Sequence, residues 1–268
     1  MRSLGLVAAT ALMCASCAPA LMKLPSGVGT PSPDPDALNQ ATAACRATST
    51  ITAEIGLAGS VAGRSLRARL LAGLAAPGSA RLEAIAPFGQ PLFIFVARDG
   101  DATLLLPRED RVLERGRPEA VLEAIAAVPL DAPGLREALT GCASSLDAGT
   151  AHELGVDWRV VADTARDVYV HRESRGAPWR LVAVVHRQPG RPTWRAEYRD
   201  FQNGPSKSLP RSVRIKTIND ARFDLRLTLS QVEVNMPLGF EVFQVRVPTS
   251  ARPITLDELR SSGPLGSK

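Results

Sequence analysis

The sequence predicts a mainly β protein with short helices (α+β): a strongly curved antiparallel sheet of about eleven strands between Ile51 and Val247, with a helical lid or plug. Many short segments alternate apolar and polar residues with a period of two, as expected for antiparallel strands with one wet face. Turns that contain Gly, Pro or Asn separate these segments at hairpin spacing. Residues 116–142 depart from this pattern, because their apolar residues recur at helical spacing.

The N-terminus of the 268-residue chain has the features of an export signal. Arg2 precedes an apolar run from Leu4 to Met13, which is too short to span a bilayer but suits the core of a signal peptide. The small residues before Cys17 resemble a bacterial lipobox, so residues 1–16 are the predicted signal peptide and Cys17 the lipidated first residue of the mature chain. Cys14 stands where lipoboxes usually have leucine, and the alternative is an ordinary signal peptide cut after a small residue.

The remaining chain divides into three predicted parts. Residues 17–40 are rich in proline and are interpreted as a tether from the lipidated cysteine, with a reach of about 60 Å if extended. Residues 41–248 hold the β-domain. A short helix is predicted from about Asp36 to Ala47, across the junction between the tether and this domain. Residues 249–268 form a C-terminal tail of linker-like composition.

The strand pattern indicates which side chains face the concave side of the sheet. In the segments 65–71, 212–218 and 224–229, apolar residues alternate with Arg, Lys or Thr. After Leu229 the apolar phase slips by one residue, which predicts a β-bulge near Ser230 and Gln231. The inward candidates are apolar residues with polar or small strand neighbours: Ile55, Leu57, Leu66, Leu70, Leu82 and Leu104.

Two amphipathic helices are predicted within residues 116–142. Pro118 begins the first and Pro129 follows its end, Asp131 opens the second, and Gly141 is placed to cap it. Their apolar faces are expected to cover the open concave side of the sheet. The space beneath can receive an apolar ligand such as an acyl chain, or it can be filled by the protein's own side chains, and the pattern allows both.

The cysteines and histidines predict no metal site. With residues 1–16 removed and Cys17 lipidated, Cys45 and Cys142 are the two remaining thiols. In an oxidising compartment a disulfide between them is the simplest hypothesis, and two buried free thiols are the alternative. These cysteines and the three scattered histidines match no metal-ligand spacing.

Neither catalysis nor nucleic-acid binding is expected. Residues 59–63 lack the strand-turn-helix setting of a nucleophile elbow, and no phosphate loop or dinucleotide fingerprint is present. We therefore expect no enzymatic activity and no cofactor, with an extracytoplasmic hydrolase as the alternative, because catalytic triads converge in space. The net charge of +5 is dispersed along the strands, which argues against nucleic acid and suits anionic lipid headgroups better.

An apolar hairpin tip is the most unusual local feature. In residues 81–95, two predicted strands flank Pro87, Phe88 and Gly89. Pro87 and Pro91 stiffen the base of the tip, and Gly89 permits a sharp turn. Phe88 is thus predicted to insert into a membrane or to dock a protein partner, and the alternative is that it tucks beneath its own sheet.

The order of these segments resembles the LolB-like outer-membrane lipoproteins, within the LolA/LolB-like lipoprotein-carrier fold. The resemblance runs from about residue 45 to residue 247, through "RLEAIAPFGQ", "RPEAVLEAIAAVPLDAPGLREALTGC", "WRLVAVVHRQPGRPTWRAEYRDF" and "LPRSVRIKT". The resemblance implies an unclosed, strongly curved antiparallel β-barrel with a helical lid and a hydrophobic cavity for lipoprotein acyl chains. It also implies a LolA-like periplasmic carrier as partner, and a membrane-inserting tip residue at Phe88, where the family usually has leucine.

The resemblance also implies a location and a state for the chain. We expect a monomer anchored at the periplasmic face of the bacterial outer membrane, where it assists the delivery of lipoproteins or lipids. Ala18 is consistent with this location, because it is not the aspartate that signals inner-membrane retention. The alternative is an envelope interaction or sensor lipoprotein with the same fold and no lipid-transfer activity.

Overall fold

A single large sheet organises the protein. The computed structural model describes residues 20–32, 36–86, 90–142, 150–187, 189–201 and 209–262. Fifteen strands follow the order β1-β8-β9-β10-β11-β12-β13-β14-β2-β3-β4-β5-β6-β7-β15, so β1 and β15 lie at opposite edges and the sheet is not closed. The strands are β1 (Thr30–Pro31), β2 (Thr50–Val61), β3 (Arg64–Ala75), β4 (Ser79–Ile85), β5 (Phe93–Arg98), β6 (Asp101–Leu106), β7 (Arg111–Gly116), β8 (Thr150–Glu153), β9 (Trp158–Ala162), β10 (Arg166–His171), β11 (Arg180–His186), β12 (Trp194–Arg199), β13 (Ser212–Thr217), β14 (Phe223–Val234) and β15 (Arg252–Pro253).

The prediction of about eleven strands between Ile51 and Val247 was too low. Thirteen strands, β2–β14, lie between residues 50 and 234 of the described chain. The short strands β8 and β9 are four and five residues long, and neither shows a regular alternation of buried and exposed residues. Such strands give a weak period-two signal, because alternation needs several residues with one buried face.

The long strands alternate as the sequence predicts. In β2, the odd-numbered residues from Ile51 to Leu57 are buried, whereas the residues between them are exposed or half-buried. The bulge in β14 is confirmed, because its pairing with β2 shifts between Ser230 and Glu233 and Gln231 has a φ of 49°. The sheet therefore has a distinct inner face, on which the apolar residues converge.

Four short helices accompany the sheet: α1 (Asp36–Arg46), α2 (Pro118–Ala126), α3 (Ala132–Thr140) and α4 (Leu256–Ser262). The predicted limits of α1, α2 and α3 are confirmed to within two residues. Asp131 caps α3 by accepting a hydrogen bond from the Gly134 N–H at 2.7 Å. Gly141 ends α3 in a left-handed conformation, φ 67°, which glycine adopts without steric cost. None of the described helices combines the length and apolar character needed to cross a membrane.

Both terminal segments belong to the fold, which corrects the predicted domain limits. Thr30 and Pro31 of the proposed tether pair with β8. Arg252 and Pro253 of the proposed tail pair in parallel with β7, and Ile254 and Leu259 are buried in the main apolar cluster. Few apolar residues mark these segments, so their composition alone resembles a linker. The folded domain thus includes the described residues before 41 and after 248.

Candidate functional site

The inner face of the sheet brings together the six predicted inward residues. Five of them are at most 7% exposed, and Leu66 is half-buried and packs against the same cluster. The buried five are Ile55, Leu57, Leu70, Leu82 and Leu104. Phe93 and Phe95 of β5 join them and were not singled out in the sequence. The result is one continuous apolar surface formed mainly by Leu, Ile, Val and Ala.

Short helices pack against this apolar surface. Buried residues of α1, α2 and α3 belong to the same cluster as the inward strand residues: Ala37, Ala41, Cys45, Val121, Leu122, Ala124, Ile125, Leu135, Ala138 and Leu139. In this conformation these helix residues and the inward strand residues bury one another.

Polar links and a disulfide hold α3. Arg136 donates to the backbone carbonyl of Cys45 at 3.3 Å and also to that of Thr48. Burial lowers the pKa of Arg136, while nearby Glu137 acts in the opposite direction. The structure joins Cys45, in the last turn of α1, to Cys142, just after α3, with the two Cα atoms 5.6 Å apart. The end of α1 and α3 therefore form one connected unit.

The opposite side of α3 is tied to the sheet. Glu137 forms an ion pair with Arg166 of β10 at 2.9 Å. The Tyr198 hydroxyl donates to the Glu137 carbonyl at 3.4 Å, and complete burial raises the pKa of Tyr198 well above its usual range. A Cβ at Gly141 would lie 3.4 Å from the Tyr198 ring, so the cap of α3 packs directly on β12.

The helix α2 is held differently. Its buried residues include Val121, Leu122 and Ile125, and α4 packs against it. Within the described part of the chain, no side chain of α2 forms a hydrogen bond or ion pair with a strand. Among the described residues, α2 is therefore attached to the strands through apolar side-chain contacts.

A polar cluster lies beside α3 at the end of β10 and β11. Arg166 contacts Asp163 at 3.3 Å and Glu137 at 2.9 Å. His186 stacks on Trp194, and burial lowers the pKa of His186 to about 4. The described residues contain no group of three or more His, Cys, Asp or Glu that could hold a metal ion.

The predicted anchor and tip lie outside the described residues. Cys17 precedes residue 20, and Pro87, Phe88 and Gly89 fall between Ala86 and Gln90. Their flanks are described: β4 ends at Ile85, β5 begins at Phe93 and Leu92 is 38% exposed. The Arg108 Nε donates to the Gln90 carbonyl at 3.3 Å. Leu92 thus adds an exposed apolar side chain to the base of the tip, which the sequence analysis missed.

Two grooves lie elsewhere, on the outer face. One of about 370 Å³ is lined by residues that include Glu54, Leu71, Arg81 and Val242. The other, of about 320 Å³, lies beside Val96 and Phe243. None of the six inward residues lines either groove, so neither groove is the predicted acyl-chain site.

Comparisons with known proteins identify the fold. No protein-family profile and no curated protein sequence matches the chain. A LolA superfamily protein from Nitrosomonas europaea is similar in structure, with a TM-score of 0.53 and 9% identity, over 78% of this chain and 96% of that one.

Two further solved structures are similar. A domain from Vibrio parahaemolyticus assigned to outer-membrane lipoprotein sorting has a TM-score of 0.51 and 13% identity, over 78% of this chain and 94% of that one. A DUF1329 family protein from Desulfovibrio piger has a TM-score of 0.52 and 10% identity, over 80% of this chain and 98% of that one. At these identities the likeness concerns the fold: the chain has a LolA/LolB-like fold.

Proposed function

We propose that this chain is a lipoprotein of the bacterial outer membrane, anchored at the periplasmic face through Cys17. Its inner face takes up acyl chains of lipoproteins or other lipids and assists their delivery to the membrane, as a monomer with a LolA-like carrier as donor. The observation that carries this proposal is an apolar sheet face against which α2 packs, with no hydrogen bond or ion pair from an α2 side chain to a strand among the described residues.

In this proposal, an acyl chain takes the place of α2 as the apolar partner of the inward strand residues. An acyl chain that enters beside α2 replaces contacts between α2 and the inward strand residues with contacts of the same chemistry. Each buried CH₂ group contributes about 0.8 kcal/mol, so a long chain can offset the loss of the helix contacts. The α3 side remains closed, because Arg136, Glu137 and the Cys45–Cys142 link hold it.

The uptake is tested on the Cys17→Ser chain, which cannot carry the lipid anchor. Native mass spectrometry after mild purification should detect bound lipid, and a fluorescent fatty acid should bind. Leu66→Gln should weaken that binding roughly tenfold, because Leu66 lies half-buried at the inner face. Leu71→Gln is the matched control on the same strand, since Leu71 is 45% exposed on the outer face. A lipid-free mass together with no fatty-acid uptake would overturn the proposal.

The tip residue Phe88 is proposed to enter the bilayer. A membrane-inserting role predicts that Phe88→Glu lowers the binding of the Cys17→Ser chain to liposomes. Leu92→Glu should have a smaller effect in the same direction, because Leu92 lies at the base of the tip and is only partly exposed. Unchanged liposome binding in the Phe88 variant contradicts this role.

A second candidate function is an envelope interaction or sensor module. The observation that favours it is the near-complete burial of the inner face, where five of the six inward residues are at most 7% exposed. In this case the core is permanently filled and Phe88 docks a protein partner. Phe88→Glu should then abolish capture of that partner in a pull-down, while liposome binding is unchanged.

A further inference from the structure

A buried charge pair fixes the N-terminal segment to the outer face of the sheet. On β12, Trp194, Ala196 and Tyr198 belong to the inner cluster, so Arg195 and Glu197 point to the outer side. Their side chains are nevertheless only 9% and 1% exposed, and they form an ion pair at 2.5 Å.

Met22 is the residue that covers this pair. Its N–H donates to Glu197 Oε1 at 2.7 Å, and its carbonyl accepts from Arg195 Nη2 at 2.6 Å. Further along, Thr30 and Pro31 pair with β8. Residues 22–31 therefore cross the outer face from β12 to β8 and are held at both ends. The two hydrogen bonds of Met22 go to charged groups, which makes them stronger than hydrogen bonds between neutral groups. Together with the pairing to β8, they favour the attached state of this segment.

This attachment shortens the reach of a membrane anchor. Cys17 lies five residues before Met22, and five extended residues span at most about 17 Å. A free tether of the whole proline-rich segment would have reached about 60 Å. An anchor at Cys17 can therefore be no farther than about 17 Å from Met22, which brings the outer surface beside β12 within reach of the anchored membrane.

The outer surface beyond β12 is basic, and it becomes more exposed with distance from β12: the Arg214 side chain on β13 is 11% exposed and the Arg69 side chain on β3 is 60% exposed. The next four strands after β12 in the sheet are β13, β14, β2 and β3, and at ~4.8 Å per strand they extend about 19 Å. Their outward side chains include five cations against two carboxylates. We define this surface as the basic face: Arg214, Lys216, Asp224, Arg226, Glu54, Arg67 and Arg69, with Gly56, Ala58 and Ser60 between them.

Two arginines of the basic face remain available to an external anion. Arg214 and Lys216 pair with Asp224, and Arg69 pairs with Glu54. Arg226 and Arg67 have no ion-pair partner among the described residues. Both lie in one register row, on either side of Ala58, so their Cα atoms are roughly 10 Å apart. The row forms a shallow cationic surface over small side chains.

We propose that the basic face rests on the anionic surface of the bilayer in which Cys17 is anchored, an inference that depends on the proposed lipid anchor. The predicted tip is compatible with this orientation. Ile85, the last residue of β4, pairs with Arg69, so the chain leaves the sheet towards the tip at the end where Arg67 and Arg69 lie. The basic face and the tip can therefore contact one membrane together.

The test measures binding of the Cys17→Ser chain to vesicles of phosphatidylcholine with and without phosphatidylglycerol. Because each cation near an anionic surface contributes about fivefold in affinity, Arg67→Gln with Arg226→Gln should weaken binding to the anionic vesicles about 25-fold. Binding to neutral vesicles should not change, and added salt should remove the difference.

A matched control removes two cations elsewhere. Arg175 and Arg246 are exposed, lie off the basic face and have no ion-pair partner in the described part of the chain. Arg175→Gln with Arg246→Gln should leave anionic vesicle binding within about twofold of the unmodified chain. Equal losses in the two double variants, or no loss in either, would overturn the proposal.

The short reach is tested separately by proteolysis. Trypsin should cleave slowly after Lys23 in the Cys17→Ser chain, because cleavage requires release of the attached segment. Met22→Pro removes the N–H that Glu197 accepts and should accelerate this cleavage. If trypsin cleaved rapidly after Lys23 while Met22 is unchanged, the segment would not be attached to the sheet, and the short distance between Cys17 and the sheet would be overturned. The vesicle assay and the trypsin assay require neither lipidation nor acyl uptake. The lipid anchor is tested separately, by the mass of the mature N-terminus. The proposed function and the membrane contact of the basic face can therefore fail independently.

Discussion

His186 stacks on Trp194 across the β11–β12 pair, with ring centroids 3.8 Å apart and ring planes 7° from parallel. Burial lowers the pKa of His186 to about 4, and the positive charge of Arg166 acts in the same direction, while Asp163 opposes it. The imidazole is therefore neutral in the folded protein at neutral pH.

This pairing predicts an acid-sensitive stability. The unfolded chain has a histidine pKa of about 6.5, so between that value and 4 the unfolded state binds more protons than the folded state. The contribution of His186 is fully present above about pH 6.5 and is lost as the pH falls towards 4, by about 3 kcal/mol. Urea unfolding at a series of pH values measures it. His186→Gln should remove that part of the pH dependence. If the free energy of unfolding changed equally steeply with pH in both proteins, this acid sensitivity could not be assigned to His186.

The Cys45–Cys142 pair predicts a redox-dependent stability. The two residues are 97 positions apart, and a bond across so long a loop stabilises a fold by about 2–5 kcal/mol. Replacing both by Ala in the Cys17→Ser chain should lower the free energy of unfolding by this amount, as should a reductant. The reductant should have no effect on the double variant. Two alkylatable thiols in the denatured, unreduced protein would show that the bond is absent.

Two glycines of β2 predict opposite outcomes for the same substitution. Gly59 has a φ of 153°, and a Cβ there would lie 2.0 Å from the Asp224 carbonyl oxygen. Gly59→Ala should therefore destabilise the protein by about 2–3 kcal/mol. At Gly56 the nearest atom would be 3.8 Å away, so Gly56→Ala should stabilise the protein by about 0.4–1 kcal/mol. Denaturant unfolding of both variants checks this, and equal effects would contradict it.

Local signals explain what the sequence could predict. Pro118, Asp131 and Gly141 fix the limits of α2 and α3 through chemistry confined to a few residues. The phase slip after Leu229 marks the bulge because a strand side chain must point to one face or the other. The same alternation indicates which residues face inward, but it does not show whether space remains beneath the helices.

Long-range partners explain what the sequence could not predict. Glu197 belongs to β12, a strand that is buried on both faces. The residue that covers Glu197 is Met22, which lies 175 positions away in a proline-rich stretch. Similarly, β15 has only two residues, and its place beside β7 depends on backbone pairing that no local pattern encodes. Such contacts arise from the assembled sheet, so composition suggested a tether and a tail where the structure has attached segments.

The C-terminal helix gives the last prediction. Leu259 is 4% exposed and belongs to the main apolar cluster, and Glu258 pairs with Arg111 of β7 at 3.1 Å. If α4 is part of the folded domain, Leu259→Ala should destabilise the protein by about 2–3 kcal/mol. Amide exchange in α2 should also increase, because α4 packs against α2. Asp257→Ala is the control on the same helix, since the Asp257 side chain is 92% exposed, and it should cost less than about 0.5 kcal/mol. Equal stability of the two variants would mean that α4 is not packed on the domain in solution.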